Sequence, residues 1–84
     1  MTRSEIIKQD MQTFMTAMLM KLEEKNWKPT WDSTHDMELF KLLGIEMAEL
    51  HAEIANGDNE QIIREAADVA NFAMMIAGNA MRRI

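Results

Sequence analysis

The sequence predicts a small all-α protein: three long helices forming an antiparallel bundle that oligomerisation completes. Three observations carry this. The chain has only three Gly and one Pro in 84 residues, with few β-branched residues outside Ile. Its apolar residues recur at helical spacing in three blocks. Each block is bounded by residues that start or stop helices. No repeat, low-complexity tract or linker divides it, so residues 1–84 read as one helical domain. At this size only roughly 60–65% of the unfolded surface is buried on folding, which already favours self-association.

Helix one is expected over about 3–25. Thr2 with Glu5 makes a capping-box pattern, and Ile7, Met11, Phe14, Met15, Met18 and Leu22 follow at helical spacing. The segment Asn26-Trp27-Lys28-Pro29-Thr30-Trp31-Asp32 ends it, because Pro29 lacks an amide donor and pushes Lys28 toward extended geometry. Ser33 with Asp36 resembles a second cap, for a helix over about 35–56 carrying Leu39, Leu42, Leu43, Leu50 and Ile54 in its apolar stripe. Gly57 suits the helix-ending position, and Asp58 with Gln61 caps a third helix over about 59–82 with Ile62, Val69, Phe72, Ala73 and Ile76 in its stripe. Gly44 and Gly78 fall inside helices, where each costs roughly 1 kcal/mol, and suggest close helix approach. The ten Met fit a core and a subunit interface.

Composition narrows the function. A net charge of −5 argues against nucleic acid as a partner. The absence of Cys excludes disulfides and thiolate metal sites. Apolar runs are too short for a membrane span or a signal peptide, and Met1-Thr2-Arg3-Ser4-Glu5 reads as the start of a cytoplasmic chain. There is no Gly-rich phosphate loop, His-Glu-x-x-His or nucleophilic Cys, and no Asp-rich calcium loop. A di-iron bundle would place His, not Glu49, three residues after Glu46.

The informative residues are carboxylates within apolar stripes. Glu46 projects between Leu42 and Leu50, with Glu53 alongside and Glu49 at the border; in helix three Glu65 falls inside the stripe and Asp68 at its edge. Unpartnered carboxylates are rarely buried, so positive charge should sit among them. Register brings them together. Glu49 and Glu65 lie eight positions either side of Gly57, and Glu46 and Asp68 eleven. In an antiparallel hairpin these pairs come level, roughly 12 and 16 Å from the turn. Lys41, Arg64, Arg82 and Arg83 lie on other faces or levels. Four converging carboxylates suit Mg²⁺, with Mn²⁺ as the alternative. A dimer supplying basic residues from another subunit would instead make the cluster a buried ion-pair network.

Glu46-x-x-Glu49-Leu50, followed after 15 residues from Glu49 by Glu65-x-x-Asp68-Val69, resembles the signature of the MazG-like all-α nucleoside triphosphate pyrophosphohydrolases. The similarity covers about residues 27–77, including the tryptophan-containing stretch. It implies a helical homodimer or homotetramer that uses Mg²⁺ to hydrolyse a nucleoside triphosphate to monophosphate and pyrophosphate, with Glu46, Glu49, Glu65 and Asp68 as metal ligands. Many members add a fourth helix with substrate contacts, whereas this chain ends at Ile84; a second subunit would then complete the pocket. In this reading Glu49 or Glu53 accepts the attacking water's proton. Trp27 and Trp31 are candidates to stack on the base, Lys28 to meet a phosphate, and Asn71 to hold a water or the sugar. The alternative is a non-catalytic helical oligomer acting as a partner- or nucleotide-binding module, which has no need of Mg²⁺.

Overall fold

A computed structural model describes residues 1–25 and 31–84. Three helices, α1 (Arg3–Lys25), α2 (Asp36–Asn56) and α3 (Asn59–Arg82), make an all-α bundle, with a short 3₁₀ turn at Trp31–Ser33 before α2. The described residues contain no strand. None of these helices is long and apolar enough to cross a membrane.

The expected ends hold for the reasons their residues suggest. Thr2 Oγ1 accepts from the Glu5 amide at 3.2 Å, which serves one of the unpaired donors of the first turn. Asp58 Oδ1 accepts from the Gln61 amide at 3.2 Å. Gly57 closes α2 at φ 77°, a left-handed conformation in which its amide reaches the Glu53 carbonyl at 2.9 Å. The start of α2 differs from expectation. The cap is His35, whose Nδ1 accepts from the Met37 amide at 3.1 Å, and not Ser33. A neutral imidazole nitrogen can accept as an Asp or Ser oxygen does.

The tight turn at Gly57 folds α2 back along α3, and α1 packs on another side of α3. Flanked by both, α3 buries Ala67, Asp68, Asn71, Phe72, Met75, Gly78 and Asn79. This face is turned about a third of a turn from the expected stripe, toward Asp68, because a central helix must serve two neighbours. Ala73 is accordingly exposed, as is Ile54 of α2. The core gathers Leu39, Phe72 and Met75, with Leu22, Trp31, Leu42, Leu43 and Ile76 packed around it. Neither Gly44 nor Gly78 marks close helix packing. A Cβ at Gly44 would meet nothing within 4 Å, and one at Gly78 only the Arg82 side chain at 3.5 Å.

Two polar ties fasten the ends. Asn79 donates to the Trp31 carbonyl at 3.4 Å and to Asp36 Oδ1 at 3.3 Å, and Arg83 pairs with Asp36. The Arg83 guanidinium accordingly holds the Asp36 carboxyl below the usual range.

Candidate metal centre

The hairpin register brings the carboxylates level. One carboxylate oxygen from each of Glu46, Glu49 and Glu65 lies within 4.8 Å of the other two. Glu49 is the exposed member, and Glu46 and Glu65 are half-buried. Glu49 is within hydrogen-bonding reach of both. Glu46 Oε2 and Glu65 Oε2 are wholly enclosed and have no hydrogen-bond partner. Oxygens left in this state cost free energy unless a proton or cation serves them.

Electrostatics follow from that enclosure. Burial pushes the Glu46 carboxyl above its ordinary value, Glu49 adds to the rise, and Lys25 opposes it. Burial raises Glu65 too; its hydrogen bond with Glu49 works against this, while Asp68 and Glu46 reinforce it.

Asp68, the fourth expected ligand, is 5% exposed and differently engaged. Its Oδ1 lies 3.5 Å from Lys25 Nζ and its Oδ2 3.5 Å from Lys21 Nζ. Lys25 Nζ also lies 3.4 Å from Glu46 Oε1 and 5.6 Å from the centre of the Phe72 ring. Burial acts to lower the Lys25 pKa, but Asp68 and Glu46 outweigh it and the net shift is upward. The positive charge expected among the acids therefore comes from α1 of the same chain. Lys21 and Lys25, which were not among the basic residues weighed from the sequence, supply it. Both lie on the side of α1 that carries Phe14, Met18 and Leu22, a place as unusual for Lys as the α2 stripe is for Glu.

Lys21 is also 3.3 Å from Glu24, which Arg64 engages through both guanidinium nitrogens at 3.1 and 2.9 Å. Arg64 thus stands apart from the three-glutamate group, as its wheel position suggests. Glu53, one turn beyond Glu49, is half-buried and outside that group. Asn71 is 3% exposed and donates to the Met18 carbonyl at 2.9 Å, so its amide nitrogen joins α3 to α1; its Oδ1 is buried without a partner. Trp31 packs against the core cluster. Trp27 and Lys28 lie outside the described residues.

No protein-family model matches the chain, and no curated protein or solved structure matches it.

Proposed function

We propose that Glu46, Glu49 and Glu65 hold a divalent metal ion, and that the chain uses it to hydrolyse a nucleoside triphosphate to the monophosphate and pyrophosphate. The observation that carries the metal reading is the meeting of three carboxylate oxygens within 4.8 Å, beside two enclosed glutamate oxygens with no partner. Oxygen-only donors fit Mg²⁺ or Mn²⁺. The charges also balance: Lys21 and Lys25 offset two of the four carboxylates, and the remaining two match one divalent ion. The reaction class rests on the spacing of the four acids and its resemblance to the pyrophosphohydrolase signature.

When bound, the ion supplies charge neutralisation for the triphosphate and lowers the pKa of a coordinated water. Glu49, the exposed carboxylate of the three, faces solvent from which a water would lose its proton, and accepts that proton. Glu53 is the next carboxylate along α2. Lys25, whose side chain is 33% exposed, presents positive charge at the edge of the cluster where phosphate oxygens would arrive. Asp68 orients Lys21 and Lys25.

The test is incubation with a panel of nucleoside triphosphates, with Mg²⁺ or with chelator, reading monophosphate and pyrophosphate. Metal-dependent release of both is expected, with a loss of at least about 10²-fold in Glu49→Gln at unchanged helix content. Equal rates in chelator, or equal rates in the variant, would sink the reading.

The lysine pairs favour a second reading, a closed ion-pair network in a non-catalytic helical module. Its signature is no turnover across the panel together with no thermal shift on adding Mg²⁺.

A further inference from the structure

A chain this small favours self-association, and α1 offers the face for it. Every residue from Met1 to Thr13 is exposed, so the first three turns of α1 receive no burial from α2 or α3. A helical stretch of that length is marginal in water by itself. Ile7, Met11, Met15 and Leu19 stand at 48%, 65%, 63% and 56% exposure, spaced four residues apart as one continuous ridge with no charged member. The expected stripe of α1 is therefore only partly used within the chain: Phe14, Met18 and Leu22 turn toward the bundle, while Ile7, Met11 and Met15 do not.

The surface as a whole shows the same deficit. The chain exposes 6268 Å², whereas a folded monomer of 9.7 kDa is expected to expose about 5,100 Å². The excess, about 1,100 Å², exceeds the roughly 800 Å² that each partner contributes to a standard interface. The radius of gyration, 14.0 Å, likewise exceeds the roughly 12 Å expected of a compact chain of this length.

We infer that the Ile7–Met11–Met15–Leu19 ridge is a homodimer interface, on which α1 of a second copy packs antiparallel. Read in either direction the ridge presents a branched residue, two Met and a branched residue. A two-fold axis between Met11 and Met15 sets Ile7 against Leu19 of the partner subunit, and Met11 against Met15 of the partner subunit. Such a self-complementary row suits an interface made twice by the same surface. Rows of this i, i+4 kind pack into one another in the commonest class of helix crossing. The excess area is also sufficient for one such interface. The inference does not depend on metal binding.

The test is sedimentation equilibrium of the full chain over a range of concentrations. A mass of at least twice 9.7 kDa is expected, and Met11→Glu with Met15→Glu should raise the dissociation constant at least 100-fold. Cross-linking covers the case in which that variant unfolds. The chain has no Cys, so a mixture of Met11→Cys and Met15→Cys chains offers a thiol pair only across the interface. It should form disulfide-linked dimers on mild oxidation, whereas Thr13→Cys, on the opposite side of α1, should not. A wild-type monomer, a dimer that survives both charges, or cross-linking at position 13 as fast as in the mixture would each overturn the inference.

Discussion

Replacing Asp68 by Asn tests whether the lysines of α1 are anchored as the structure shows. The side chain is 5% exposed, and each of its oxygens is 3.5 Å from an ammonium group. At an effective dielectric near 20, each contact is worth about 5 kcal/mol before desolvation. Burial of the three groups offsets much of this, and removing one member of a buried ion pair typically costs about 3–5 kcal/mol. Here the cost is moderated. Asn keeps an acceptor oxygen, Lys21 keeps Glu24 at 3.3 Å, and Lys25 keeps Glu46 at 3.4 Å. The expected loss is about 2–3 kcal/mol, against a total near 4–13 kcal/mol for a chain of this length. The assay is urea unfolding followed by circular dichroism at pH 7, in chelator and at fixed protein concentration. A midpoint shift at constant m-value measures the loss. A change under about 0.5 kcal/mol would refute the view that Asp68 holds α1 to α3 through Lys21 and Lys25.

Three further outcomes are expected. Glu46 and Glu65 have folded pKa values above their ordinary 4.5, so the folded state binds more protons and loses stability as pH rises from about 4.5 through the raised values. In chelator, the melting temperature of the wild type should therefore fall across that window relative to a Glu46→Gln, Glu65→Gln variant; parallel curves would contradict the burial of these carboxyls. The stabilisation by Mg²⁺ should grow over the same window, since the ligands must be deprotonated, and a pH-independent Mg²⁺ shift would argue against ligation by these two groups. Gly57→Ala places a Cβ at φ 77° and should cost about 1–2 kcal/mol in urea unfolding, whereas an unchanged midpoint would mean that the turn relaxes freely.

The fold was legible wherever a residue has a single local job. Thr2, Gly57 and Asp58 mark helix ends through their own hydrogen bonds or backbone freedom, and α1, α2 and α3 start and stop where those residues indicate. The α2 cap was less legible because a His can substitute for an Asx or Ser acceptor without belonging to the usual pattern. The buried face of α3 was misplaced for a tertiary reason. A wheel finds the most apolar direction, but a central helix buries what lies between its neighbours, and that sector includes Asp68, Asn71 and Asn79.

The meeting of Glu46, Glu49 and Glu65 was legible through their place in the apolar stripes and their register. Equal distances from Gly57 set Glu49 against Glu65, and the turn is tight enough to preserve that relation. What remained hidden was the contribution of α1. Lys21 and Lys25 approach through the packing of α1, which the α2–α3 hairpin does not specify, although their place on the apolar side of α1 was a readable sign. How the α1 stripe divides between core and exposed surface was not legible, because periodicity shows that a face is apolar without showing whether its cover belongs to the same chain.

The most direct test of the central claim is a Mn²⁺ titration of the full chain, followed by electron paramagnetic resonance of the free ion. Saturable binding of one ion per chain is expected, competed by Mg²⁺ and lost in Glu49→Gln at unchanged helix content. Absence of saturable binding to the wild type, or undiminished binding to the variant, would contradict a metal centre built from Glu46, Glu49 and Glu65.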